Sequence, residues 1–219
     1  MLHSNQRKLS LSGWLKEYEI NEYNKPLKLQ FFLLFYELFS KINGESPDLS
    51  YLRGYKKGAV FSHVWGDYTH ERKQFDEAAS EAYQNHSYEI VSERAERCSF
   101  IVKTLSDHEL SSLTHKMNLW KSKEQQIMAG KHQVDLEEQD FIEDDFQIIS
   151  TLEKMYPIEM IRNSFVIEMN NHFFVFSKKD VIHLPEEHFD ILGALTDVPG
   201  LTNPVYVEVD EEGRLLVDL

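Results

Sequence analysis

The chain contains a single cysteine, Cys98, in 219 residues. An intrachain disulfide is therefore impossible, and a zinc site built on several thiolates lacks its ligands. Long apolar runs are also missing. The greasiest stretch, "LQFFLLFYELF", falls far short of the ~20 residues a membrane span needs. The first twenty residues show no apolar core and no small-residue cleavage site of the signal-peptide kind. The expectation is a cytoplasmic protein in a reducing compartment. Basic residues are in deficit, 23 against 37 acidic, for a formal net charge of −14. Such a balance repels phosphate backbones and anionic membranes, and it suits a basic protein partner or a protein that mimics DNA. No P-loop, G-x-G-x-x-G or G-x-S-x-G motif occurs, and neither does an internal repeat or low-complexity segment.

What is present can build a core: 42% of residues are hydrophobic and 12% aromatic, enough for one domain with an appendage or two small domains. Residues 12–23 read as a short helix with Ser12 as N-cap and Trp14, Leu15, Tyr18 and Tyr23 as its stripe. A stronger helix follows, with Asn24 as cap and Pro26 in the first turn. Its apolar positions run almost all round, which places it in the middle of the fold. Asn43–Gly44 ends it. "YLRGYKKGAVFSHVWGDY" reads as a strand-like or irregular crossing. Residues 70–85 and 87–105 read as helices, the second with Ile90, Arg94, Cys98, Ile101 and Leu105 on one stripe. Ser106 and Glu109 have capping-box spacing, so a helix starts there and Thr114–His115 falls at its end. Residues 135–156 read as one long acidic helix carrying Glu137, Asp140, Glu143, Asp144 and Asp145 on its solvent face. After Pro157 the period changes to two. "FVIEMNNHFFVF" reads as a hairpin turning at Asn170–Asn171, "VIHL" as a third strand, "PEEHFDILGAL" as a helix, and "VYVEVDEEGRLLVDL" as a second hairpin turning at Gly213. The fold class expected is α+β, a mainly helical domain over 10–156 with a small α+β module over 157–219.

Ten histidines guarantee some chance neighbours of carboxylates. His63, Asp67, His70 and Glu71 could form a metal site, but their spacing matches no specific zinc or iron pattern, and the alternative is the solvated start of a helix. His183 and His188, flanking Pro185, form a weaker pair. His115 could serve as a general base, yet no nucleophile motif accompanies it. Cys98 on a helix stripe reads as an inert buried thiol. Trp14, Trp65 and Trp120, with ten tyrosines, suit either a core or a protein interface.

Three stretches together resemble one family. "KPLKLQFFLLFYELF", with Pro26, Leu27, Lys28, Leu29 and Gln30, is similar to the "P-L-K-L-Q-K-L-L-Y" helix of the Panacea (SocA-like) antitoxin domain. "GYKKGAVFSHVW", with Gly58 and Trp65, resembles its "W-x-Y-G-P-V-V-P-x-V-Y" segment. "LSSLTHKMNLWK", with Thr114, His115 and Trp120, resembles its "L-S-x-L-T-H-x-x-x-x-W". The order and spacing agree over roughly 10–156. Ala59 stands where the family usually has proline, Phe32 where it usually has lysine, and the segment after Pro157 lies outside the shared domain.

The resemblance implies a cytosolic binding domain that neutralises a cognate toxin, encoded by the neighbouring gene, by direct contact. Some relatives act instead as adaptors that deliver the toxin to a protease. No enzymatic activity, cofactor, metal, nucleic acid or membrane is implied. It also suggests that Thr114, His115 and Trp120 lock a helix end against the aromatic crossing around Trp65, with His115 hydrogen-bonded inside the domain. Contact with a basic toxin is expected from the C-terminal module or from Asp140, Glu143 and Asp144. Two alternatives stand beside this one: an acidic phage-type inhibitor or DNA mimic acting on a nucleic-acid-binding enzyme, and a metal-dependent hydrolase using His63, His70 and His115.

Overall fold

The computed structural model describes residues 1–131, 133–182 and 184–217. Helix accounts for 60% of the chain and strand for 14%, in two small sheets, so the fold is α+β with a mainly helical character. The chain opens with α1 (Gln6–Tyr18), α2 (Ile20–Tyr23) and α3 (Pro26–Ile42), then a hairpin of β1 (Leu52–Tyr55) and β2 (Gly58–Phe61). Next come α4 (Ser62–His70), α5 (Arg72–His86), α6 (Ser92–Thr104), α7 (Asp107–Lys116), α8 (Asn118–Lys121) and α9 (Glu124–Met128). The short strand β3 (Val134–Asp135) and α10 (Glu143–Met155) complete the helical part. The remainder is α11 (Ile158–Asn163), β4 (Ser164–Met169), β5 (His172–Ser177), α12 (Lys178–Val181), α13 (Glu186–Leu195), β6 (Val205–Val209) and β7 (Leu215–Val217).

α3 is buried without interruption from Lys28 to Ser40. It packs against α1, α2, α4, α6, α7, α10 and β2. Polar side chains on such a helix need partners, because an unpaired buried charge is costly. Glu37 receives Arg7 Nε at 2.8 Å, Lys8 Nζ at 2.5 Å and the Asp48 backbone N–H at 2.8 Å. Lys28 Nζ donates to the carbonyls of Val102 and Leu105, which end α6. Pro26 sits in the first turn and Gly44, at φ 79°, lies just past the end, as the sequence predicts.

α1 crosses α5 at close range. A Cβ on Gly13 would stand 2.1 Å from the Ala79 carbonyl oxygen and 2.6 Å from Tyr83 Cβ, so only glycine permits the crossing.

The two sheets run β2-β1-β3 and β4-β5-β6-β7. In the second, only β5 and β6 are parallel. β5 is buried on both faces. Val175 joins the main hydrophobic core, while Phe174 and Phe176 join a second core with Leu192, Val205 and Val207. Asn170 and Asn171 have φ of 50° and 62°, the type I′ geometry expected of the turn before β5.

Several boundaries differ from the sequence reading. The helix expected over 12–23 begins at Gln6, capped by Asn5, whose side chain accepts from Lys8 N at 3.0 Å. Ser12 lies mid-helix, its hydroxyl donating to the Lys8 carbonyl at 2.7 Å. Asn24 does not cap α3. Lys25 holds the N-cap position, and Asn24 Oδ1 accepts from Arg72. The crossing around Trp65 is a hairpin that gives way to α4 at Ser62. Residues 87–89 form a 3-10 turn, so α6 starts at Ser92. The acidic stretch 135–156 is not one helix: the extended residues Phe141 and Ile142 separate a 3-10 turn from α10. Within "VIHL", Val181 ends α12 and Ile182 is in a turn, while His183 lies outside the described residues.

Gly13→Ala is expected to lower stability by about 1–3 kcal/mol through overpacking. Gly66→Ala, in α4 with nothing within 4 Å, should raise it by about 0.5–1 kcal/mol. Urea unfolding of both variants checks this; equal midpoints would contradict the α1–α5 crossing.

Candidate functional site

The β1–β2 hairpin gathers the residues that the sequence singles out. Its turn is Lys56–Lys57, and Gly58 follows at φ 127°. A Cβ there would approach the Phe31 ring and Thr114 Oγ1 at 3.3 Å, so both the backbone angle and the space call for glycine. Gln30 on α3 accepts the Phe61 N–H of β2 at 2.8 Å. Ser111 on α7 donates to the Lys57 carbonyl at 2.6 Å. Thr114 is fully buried, and its hydroxyl donates to the Leu110 carbonyl at 2.6 Å.

α7 begins with the capping box that the Ser106/Glu109 spacing predicts. It ends by passing His115 over Trp120. The rings stack with centroids 3.9 Å apart at 28°, and Trp120 Nε1 donates to the Tyr55 carbonyl at 2.9 Å. The Leu-Thr-His…Trp element thus holds the hairpin. His115 keeps one ring nitrogen unmatched: its Nε2 is buried with no hydrogen-bond partner among the described residues. Burial pushes the imidazole below its ordinary pKa, opposed by the Glu124 carboxylate and the Lys56 backbone.

Trp65 stands apart from this lock, against expectation. It lies on α4, 38% exposed, while Trp14 and Trp120 are 6% and 2% exposed. With Leu27, Val60 and Ile127 it lines a cleft of 610 Å³ between the hairpin, α4 and the end of α9. Lys56, Lys57 and Lys131 also line the cleft, and all three are exposed. No carboxylate lines it among the described residues. Sequence reasoning missed these lysines; the available signal was a Lys-Lys pair between glycines in a strongly acidic chain.

The acidic candidates divide. Glu143 and Asp144 are exposed on the first turn of α10. Asp140 is not: it is buried, pairs with Lys123 at 3.0 Å and accepts the Glu137 N–H at 2.9 Å. Asp145 also turns inward, receiving the N–H groups of Asn118 at 2.5 Å, Leu119 at 2.9 Å and Ile142 at 3.3 Å. Its carboxylate therefore starts both α8 and α10. A single helical face carrying all five carboxylates is corrected to two inward anchors and an exposed remainder.

The His63–Glu71 cluster also separates. Asp67 accepts the backbone N–H groups of His3 at 2.8 Å and Ser4 at 2.7 Å, plus the Ser4 hydroxyl at 2.6 Å. His63 stacks on Tyr51 at 3.5 Å, and His70 and Glu71 are exposed. Among the described residues no three His, Cys, Asp or Glu side chains converge to hold a metal. His188 is buried on α13, with His183 outside the described residues. Cys98 is fully buried, and burial pushes its thiol well above the ordinary range. Among the described residues, no helix is long and apolar enough to cross a membrane.

The chain matches no protein-family model, no curated protein and no solved structure.

Two outcomes follow from the lock. Trp120→Phe, which shrinks a buried side chain and removes the donor to the half-buried Tyr55 carbonyl, is expected to cost about 1–3 kcal/mol of unfolding free energy. His115 has a folded pKa below its unfolded value, so the unfolded chain binds more protons and stability falls as pH drops below about 6.5. The loss levels off below the depressed folded value. His115→Gln should flatten that slope in urea titrations between pH 7 and 5, and an unchanged slope would show that other groups set it.

Proposed function

We propose that this chain is a protein-binding module of the Panacea (SocA-like) antitoxin kind, acting in the cytoplasm and neutralising a cognate toxin by direct complex formation. It binds and carries out no reaction of its own. The observation that carries this reading is the division of labour around the hairpin. Residues in all three resembling stretches have specific structural work: Lys28 and Gln30, Gly58, and Thr114, His115 and Trp120. The structure they hold presents a cleft with a half-exposed tryptophan and apolar walls, the chemistry of an interface anchor point. No nucleophile–base pair is recognisable among the residues lining it.

Co-expression with the product of the neighbouring gene tests the reading. The neighbour alone should arrest growth, and this chain should restore it through a complex that co-purifies. A harmless neighbour, or rescue with no complex, would count against it. Trp65→Ala is expected to weaken the complex by about 2 kcal/mol, roughly 30-fold in Kd, while leaving the unfolding midpoint in place. Calorimetry on the purified pair measures both.

A further inference from the structure

The cleft beside Trp65 has the opposite electrostatic character to the molecule that contains it. The protein carries a formal net charge of −14, yet Lys56, Lys57 and Lys131 line this hollow and no described carboxylate does. None of the three makes an ion pair with a described residue, and Lys131 Nζ donates only to Gln126 at 3.0 Å. The walls between them are Val60, Trp65 and Ile127. In a chain whose other cations are so often bound to carboxylates, three lysines with no carboxylate partner among the described residues, lining an apolar hollow, form an unmatched half of a complementary pair.

We propose that the cleft takes an apolar side chain from a short acidic segment of a partner protein, with the flanking carboxylates on Lys56, Lys57 and Lys131. This rests on the protein-binding reading and deepens it. It also reverses the contact expected from the acidic residues, in which this chain supplies the carboxylates.

Range selects a short segment over a polyanion. Screening limits exposed charges to about 8 Å at physiological salt, so a few carboxylates at the cleft feel mainly its three lysines. An extended phosphate backbone would run beyond them across a surface of net negative charge. The cleft also lacks arginine, the side chain that grips phosphate bidentately.

Trp65 provides the reporter, since the other two tryptophans are nearly inaccessible. The full chain is titrated with three synthetic octapeptides while acrylamide quenching is followed: a central Leu-Phe pair between glutamates, the same pair between lysines, and a Ser-Ser pair between glutamates. The first peptide should shield Trp65. Its apparent affinity should fall about tenfold or more in Lys56→Glu/Lys57→Glu, and again on raising salt, as contacts between exposed charges do. Circular dichroism checks that the variant folds. Equal shielding by the lysine peptide, shielding by ADP or a short oligonucleotide in place of the peptide, or no shielding at millimolar peptide would overturn the proposal. A toxin complex that survives Lys56→Glu/Lys57→Glu/Lys131→Glu removes this occupant and leaves the binding reading standing. Peptide binding without any toxin partner does the reverse.

Discussion

The helical part of this protein is arranged around one helix whose middle has no solvent face. α3 is buried from Lys28 to Ser40 and includes four phenylalanines in its core set. Large aromatics supply much of a core's hydrophobic stabilisation. The same burial imposes a constraint, because Lys28, Gln30, Glu37 and Ser40 are enclosed with them. Each polar group dictates a neighbour. Glu37 requires α1 to bring Arg7 and Lys8, and requires the chain after α3 to turn back so that Asp48 can donate. Lys28 requires the end of α6. Gln30 requires the edge of β2. Satisfying one helix thus sets the place of the hairpin on which the cleft is built.

The C-terminal strands are tied to this arrangement by more than the chain. β5 shares Val175 with the main core, and Lys28 Nζ lies 4.9 Å from the centre of the Phe173 ring. Around that seam, Lys25 pairs with Glu168 at 3.0 Å, Arg162 with Glu96 at 2.8 Å, and Asn203 donates to Glu109. Exposed pairs of this kind stabilise weakly. The buried apolar side chains of β5 are the stronger bond. Glu109 has two duties, closing the capping box of α7 and receiving Asn203, and its hydrogen bonds from Ser106 and Asn203 offset its burial and hold its carboxyl below the usual range.

Support and exposure are separated among the tryptophans. Trp120 and His115 spend their surface on each other and on the hairpin, whereas Trp65 keeps its surface for the cleft. Trp120 and Ser111 donate to the Tyr55 and Lys57 carbonyls on either side of the Lys56–Lys57 turn, and Gln30 accepts from Phe61 at the end of β2.

By itself the sequence determined the elements whose signal is local. The apolar periodicity of α3, Pro26 in its first turn, the Ser106–Glu109 box, the Asn170–Asn171 turn and the alternation of β6 each depend on residues a few positions apart, and each stands in the structure. Of the residues in the resembling stretches, Gln30, Gly58, Thr114 and Trp120 meet at one hairpin. Only the tertiary structure decided which carboxylates face inward. Asp140 and Asp145 look like their exposed neighbours in sequence and differ because Lys123 and the N–H groups of α8 arrive from elsewhere in the chain. The same holds for Ser12, which offers a plausible cap but loses it to Asn5, and for Trp65, whose role depends on the distant Ile127 and Lys131 closing the far side of a cleft. Local patterns set what a segment can form, while long-range partners determine which of its polar groups are buried and which remain free to bind.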